Sequence, residues 1–329
     1  GANWSVNVAK QAIGIGLNKG LVEEFNGVDF VTREEAALYA FNTLKATMVS
    51  YDNKITANVN GANVTISNTT AKPVTWSEGR NNDGNIKKDG FVQFAEEFFP
   101  KLVRKDDSTK FMEPANTWIY DKTQVGTYER KDLLVETYTA GVTGKDAYDL
   151  LKPGVIDENK LEVYVDGVDM KGTGTDKFDK ADLVRANTKN LGATGNGVVT
   201  KVYLDTDKKV ITFVSVNTYL AKATADYSTS KEYAPLSVYT DVKSTKTYNV
   251  DKVDVSNVVN VKKDAYYQVN ISKKDNSNGE VIILKNAEIL ENSTVTKFSA
   301  GDNGSGNGRV TKLTTGGNEY KANVKAFYD

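Results

Sequence analysis

Residues 25 to 41 read Phe25-Asn-Gly-Val-Asp-Phe-Val-Thr-Arg-Glu-Glu-Ala-Ala-Leu-Tyr-Ala-Phe41, and the change inside them from turn-formers to a helical period decides the reading of the amino-terminal segment. Thr32 and Glu35 stand in the Thr-x-x-Glu spacing of a capping box, and Ala37, Phe41, Leu44 and Met48 then repeat along one helical face. Upstream, Trp4, Val8, Ala12 and Ile15 make a second apolar stripe that Gly16 and Gly20 close. The expectation for residues 1–50 is a short helix, a loop and a longer helix.

These residues resemble an S-layer homology (SLH) repeat. That family has an aromatic near the start, then Ala-Ile, a Gly-Leu segment, a Phe eight residues before an Arg, and a motif written Ile-Thr-Arg-Ala-Glu. Here Trp4, Ala12-Ile13, Gly16-Leu17, Gly20 and Phe25 fall in those places, and the motif reads Val31-Thr32-Arg33-Glu34-Glu35. The departures are Glu34 for the small residue, and Gly27 and Phe30 where the family often has proline.

The resemblance implies a secreted, extracellular protein in the cell wall or S-layer of a Gram-positive bacterium, with secondary cell-wall polysaccharide as partner. The polymer contact would fall to Arg33, whose guanidinium forks onto the carboxylates of an acidic sugar. Thr32 and Glu35 are explained by capping. Family proteins usually build a wall-binding unit from three repeats, so other SLH repeats or copies of the chain itself are implied partners. No signal peptide opens the sequence, and a chain trimmed at Gly1 with further repeats upstream is expected.

Composition narrows the chemistry. With 42 basic and 43 acidic residues the net charge is −1, and 329 residues suffice for two or three domains with real cores. The arginines, at 33, 80, 104, 130, 185 and 309, do not cluster as a phosphate-binding face would, so no nucleic-acid partner is expected. The absence of cysteine removes disulfides and thiolates. The absence of histidine removes the commonest general base, the Ser-His-Asp triad and His-ligated zinc. No apolar run approaches the ~20 residues of a membrane helix, and Val281-Ile-Ile-Leu284 reads as a strand.

Beyond Tyr51 the period becomes alternating. Ile55, Ala57 and Val59 lead into Asn60-Gly61, and Ala62, Val64 and Ile66 lead out, which predicts a two-residue hairpin pairing 59 with 62, 57 with 64 and 55 with 66. Residues 68–90, rich in Asn, Asp and Gly, read as a linker or long surface loop. Helices are expected over Phe91–Val103, Lys145–Leu151 and Asp179–Asn187, and strands at Trp118–Tyr120 and Leu133–Thr139. Further hairpins are expected at Val163–Met170 around Asp166-Gly167, and at Val199–Val216 around Asp205 to Lys209.

A faint repeat lays Asn217–Ala225 over Asn292–Ala300 and Lys246–Val250 over Asn318–Ala322, with Gly316-Gly317 turning Leu313 against Tyr320. The expected fold class is multidomain α+β. Its parts are an SLH-like helix-loop-helix at 1–50, an α+β domain at 51–192, and one or more mainly-β barrel or sandwich modules at 193–329.

Acidic candidates are few. A glycosidase would need two carboxylates ~5 to 10 Å apart, and Glu96-Glu97 or Glu162 are the options, although adjacent helical glutamates usually mark a solvated face. Calcium could be held by Asp205 with Asp207, by Asp166 with Asp169, or by Asp302-Asn-Gly304, but turn chemistry selects the same residues. Asp302–Gly308 lacks the strand-to-helix setting of a phosphate loop. Seventeen tyrosines and three tryptophans could stack sugars but also suit strand packing. The expectation is therefore a non-enzymatic surface protein with no cofactor and no metal. The alternatives are an extracellular glycan- or protein-binding module and a carboxylate-based glycoside hydrolase.

Overall fold

The computed structural model describes residues 4–21, 30–51, 54–67, 71–77, 84–241, 244–302 and 308–325. Strand prevails, at 42% against 18% helix, so the molecule is mostly β with several separate sheets. The chain divides into two compact units: Gly1–Asp107 with Ala115–Asp132, and Ser108–Pro114 with Leu133–Asp329.

The first unit opens with α1 (Trp4–Gly14) and α2 (Arg33–Lys45). Helix α2 ends before the predicted Met48, because the Met48 backbone donates to Val92 O and accepts from Val74 N. Four short strands follow: β1 (Val49–Tyr51), β2 (Lys54–Val59), β3 (Ala62–Ser67) and β4 (Ala71–Pro73). β2 and β3 form the hairpin read from sequence, with Val59 opposite Ala62, Ala57 opposite Val64 and Ile55 opposite Ile66. Asn60 and Gly61 take the positive φ values that a tight primed turn requires.

Two expectations for this unit are corrected. The stretch read as linker or loop is partly integrated: β4 pairs with β1, Trp76 N donates to Gly90 O, and Ile86 lies in the core, while 78–83 falls outside the described residues. The helix expected over Phe91–Val103 is only α3 (Phe94–Phe98). Pro100 follows it closely, and Leu102 already begins β5 (Leu102–Ser108), which lies beside β6 (Pro114–Tyr120) and then β7 (Thr123–Glu129). Ile86, Ala95 and Trp118 form the core, and Phe41 of α2 packs its ring 5.2 Å from that of Trp118.

In the second unit β8 (Leu134–Tyr138) precedes α4 (Gly144–Leu151) and α5 (Pro153–Glu158). Pro153 is not merely a stop for α4: it occupies the first turn of α5, where its missing N–H costs nothing. Then come β9 (Lys160–Val165), β10 (Val168–Asp169), β11 (Val198–Asp205) and β12 (Val210–Asn217). They join β8 in a sheet of order β10-β9-β12-β11-β8 that takes strands from both sides of residue 192; only β9 and β12 run parallel.

The helix expected at Asp179–Asn187 is a single 3-10 turn, Lys180–Asp182, capped by Asp179. The chain beyond it folds against the start of α4 so closely that a Cβ on Gly144 would stand 2.0 Å from Asp182 O. A loop held there cannot continue as a helix. Its core contains Phe178 and Phe213 ring edge to face, with Leu161, Val163, Val202 and Ile211 from the sheet and Ala147, Leu151 and Ile156 from the helices.

The remaining chain is two antiparallel sheets. One contains β13 (Tyr219–Ala223), β14 (Tyr233–Asp241), β15 (Ser244–Asp251), β16 (Tyr266–Ser272) and β17 (Glu280–Asn286), in the order β15-β14-β13-β16-β17. The other is the meander β18 (Val295–Asp302), β19 (Gly308–Thr315) and β20 (Asn318–Lys321). The repeat read from sequence reappears in register. Ala223, Leu236 and Tyr248 lie across three strands, as do Phe298, Leu313 and Tyr320, with Leu313 opposite Tyr320 as expected. The first row is buried with Val255, Val258 and Val261, whereas Phe298 in the second is 66% exposed.

Candidate functional site

Arg33 is the first residue of α2, exposed, and its guanidinium has no hydrogen bond or ion pair among the described residues. Its neighbours fix it. The Thr32 side chain accepts from Glu35 N at 3.2 Å, and Thr32 N donates to Glu35 Oε2 at 2.7 Å, which satisfies two of the orphan groups at the start of the helix. The hydrogen bonds from Thr32, backbone first, hold the Glu35 carboxyl below its ordinary range. Replacing Thr32 with Ala should lower stability by about 1 kcal/mol, measured by urea denaturation at neutral pH, while leaving the position of Arg33 on the helix unchanged.

At the other end, the loop after α1 is tied to α2 by Asn42, whose buried amide donates to Leu17 O at 2.8 Å and Lys19 O at 2.9 Å. Sequence reasoning passed over Asn42. Its only signal was a polar residue beside Phe41 in the helical stripe, and the acceptors it serves lie on a different element. Of the amino-terminal stripe Val8 and Ile15 are exposed and Ala12 is half-buried, and Ile13 beside it is exposed as well. Phe25 and Gly27 lie outside the described residues.

The last turn of α2 brings Lys45 among other cations. Its Nζ lies 4.5 Å from the Phe41 ring centroid, and burial, with Arg104, Arg130 and Lys19 adding to it against Asp132, pushes its pKa down to about 8. A folded-state pKa below the ordinary 10.5 means the unfolded chain binds more protons between those values. Stability should therefore rise as pH goes from about 8 to about 10.5, and Lys45→Met should remove that rise in denaturation curves taken across the window. Arg130 holds Asp132 through its Nε at 2.9 Å and Nη2 at 2.6 Å.

The other acidic candidates scatter. Glu96 is buried and accepts from Ile86 N at 2.9 Å, Lys87 N at 3.2 Å and Gln93 N at 3.1 Å, so it organises the turn before α3, while its neighbour Glu97 is exposed. Glu162 sits on β9, with Thr212 donating to it at 3.5 Å. Asp205 Oδ1 accepts from Asp207 N and Lys208 N, and Asp169 Oδ1 from Lys171 N, which are turn contacts. Residues 303–307 lie outside the described residues, and among those described no cluster of acidic side chains is spaced to hold a metal.

Comparison with known proteins is silent. A scan against protein-family models, a search of curated proteins and a search of solved structures each returned no match.

Asp166 departs most from its sequence reading. Expected at an Asp-Gly hairpin tip, it is 4% exposed, and its carboxylate accepts from Asn217 N at 2.8 Å, Asn217 Nδ2 at 2.9 Å and the Tyr219 hydroxyl at 2.7 Å. Its backbone adds two further ties, accepting from Lys273 N and donating to Ser215 O. Gly167 beside it has φ +81° and leaves a Cβ only 3.0 Å from Lys110 O, Lys274 N and Ser272 Oγ. The β9–β10 turn thus joins the mixed sheet to the start of β13 and the end of β16. Burial raises the Asp166 carboxyl above its ordinary range against these hydrogen bonds, and burial together with Asp166 keeps the Tyr219 hydroxyl protonated.

No helix among the described residues is long and apolar enough to cross a membrane.

Proposed function

We propose that this chain is a non-enzymatic surface protein of a Gram-positive cell, held to wall polysaccharide through its SLH-like helices and presenting its β-rich modules as a spacer or adhesive surface. The observation that carries this reading is Arg33: an exposed guanidinium at the start of a capped helix, with no partner among the described residues, inside the motif that resembles the SLH family. Exposed Val8 and Ile15 on the amino-terminal stripe support it, since apolar helix positions left uncovered among the described residues suit bundling with further repeats. Multidomain α+β organisation, with the carboxyl-terminal strands as barrel or sandwich modules, is part of the same reading.

The commitment of Glu96 to three backbone N–H groups favours structure over acid catalysis at the Glu96-Glu97 pair. The test is retention on purified wall polymer by a protein carrying this chain with its neighbouring repeats. Arg33→Ala should lower retention about tenfold, as loss of a charge-assisted bidentate contact would. Equal retention of the variant and the parent would remove Arg33 from the site. A second reading, an extracellular glycan- or protein-binding module, is favoured by exposed Phe298 and Tyr320 on either side of half-buried Leu313, and a glycan array probed with the whole chain would detect it.

A further inference from the structure

A cavity of about 420 Å³ opens in the second unit beside the β9–β10 turn, and its lining includes Asp166 and Asn217. That volume lies at the small end of ligand pockets. Asn217 is 1% exposed, and its side-chain oxygen accepts no hydrogen bond, although its amide nitrogen donates to Asp166. The three donors on the Asp166 carboxylate, two from Asn217 and one from Tyr219, are all neutral, and no cation forms an ion pair with it among the described residues. Lys325 acts on Asp166 only from a distance, and a buried carboxylate with no cation in direct contact and a buried amide oxygen without a donor make the same demand. Both are answered by a positively charged group rich in N–H.

The same cavity is lined by Lys273 and Lys325, whose ammonium groups form no ion pair among the described residues. The charged lining is therefore Asp166 and Asp176 against Lys273 and Lys325, which sums to zero and disfavours a ligand of net charge. Val165, Val168, Met170 and Val324 supply apolar wall. We propose that this cavity binds a short-chain α-amino acid, with its ammonium against Asp166 and Asn217 and its carboxylate toward Lys273 and Lys325. Specificity follows from the separation of charge: an amine alone leaves the lysines unanswered, and a carboxylate alone leaves Asp166 and Asn217 unanswered.

The experiment is an NMR titration of the isotope-labelled whole chain with L-alanine, and separately with ethylammonium and propionate. Alanine should shift the Asn217 side-chain amide and the Asp166 backbone amide saturably, with Kd on the order of 1 mM, and each fragment should bind at least about tenfold more weakly. Lys325→Met should weaken alanine about tenfold without altering the spectrum elsewhere, and Asp166→Asn should abolish the response. Absence of any saturable shift would overturn the proposal and leave a solvent-filled cavity. Equal binding of ethylammonium and alanine, or full affinity in Lys325→Met and Lys273→Met, would overturn the zwitterion assignment.

Discussion

Asp166→Ala should lower the unfolding free energy of the second unit by about 3 kcal/mol, because it strands three buried donors at once. The Asn217 backbone N–H, the Asn217 side-chain amide and the Tyr219 hydroxyl all point at this carboxylate, and all three belong to residues that are buried. The loss is smaller than three separate penalties, since the substitution also removes a carboxylate whose burial is itself unfavourable. Tyr219→Phe deletes one of the three bonds and should cost about 1 to 2 kcal/mol alone, but almost nothing in the Asp166→Ala background. That cycle separates the network from the packing of the ring.

The pH dependence gives an independent check. The folded-state pKa of Asp166 is raised, so between the ordinary aspartate value and the raised one the folded protein binds more protons than the unfolded chain. Its contribution is most favourable below the ordinary value and is lost as pH rises through the folded value. Asp166→Asn should flatten this segment of the stability profile, measured by urea denaturation at a series of acidic pH values. A profile with the same slope in the variant would show that another group titrates there.

What the sequence discloses depends on how far the cause lies from the residue. The β2–β3 hairpin was legible to the register because Asn60-Gly61 and the alternation around it contain the whole argument. The β9–β10 turn and the Thr32–Glu35 cap were equally local, and the β11–β12 hairpin was legible as a hairpin, although Asp205, read as loop, pairs with Val210. Helical periodicity misled at Phe91–Val103, where Glu96 counted as a solvated residue. It is buried because Ile86, Lys87 and Gln93 present three N–H groups to it, and no spacing rule announces that.

Asp166 is the strongest instance. Turn chemistry located it correctly, yet its burial comes from Asn217, Tyr219 and the Ser272–Lys274 segment, far along the chain. The repeat shows the same limit from the other side. Matching phrases at Asn217 and Asn292 predicted equivalent strands, and the cross-strand rows agree, but Ala223 is covered while Phe298, its counterpart, is not. The valines that cover the first row lie in a segment outside the matched phrases, so likeness of strands carried no information about what packs on them.

The core of the mixed sheet should show the other large effect. Phe213 is 1% exposed on β12, and its ring meets that of Phe178 edge to face, with centroids 5.3 Å apart and planes at 88°. Phe213→Ala removes the transfer free energy of a buried ring and leaves a cavity walled by β-strands on one side and by α4 and α5 on the other, neither of which can close in freely. The expected loss is about 3 to 5 kcal/mol, and Phe213→Leu should lose less because it fills part of the space. Phe178 comes from the loop before the 3-10 turn rather than from the sheet, so Phe178→Leu tests the aromatic pairing apart from the strand. The two leucine substitutions combined should cost less than their sum by about 0.5 to 1.5 kcal/mol, the share that edge-to-face geometry adds. Far-UV ellipticity is the appropriate readout, because Trp4, Trp76 and Trp118 all belong to the first unit and their fluorescence reports on that unit. A loss under about 1 kcal/mol for Phe213→Ala would mean that the loop carrying Phe178 collapses into the space, and that the sheet, not the ring pair, holds this core together.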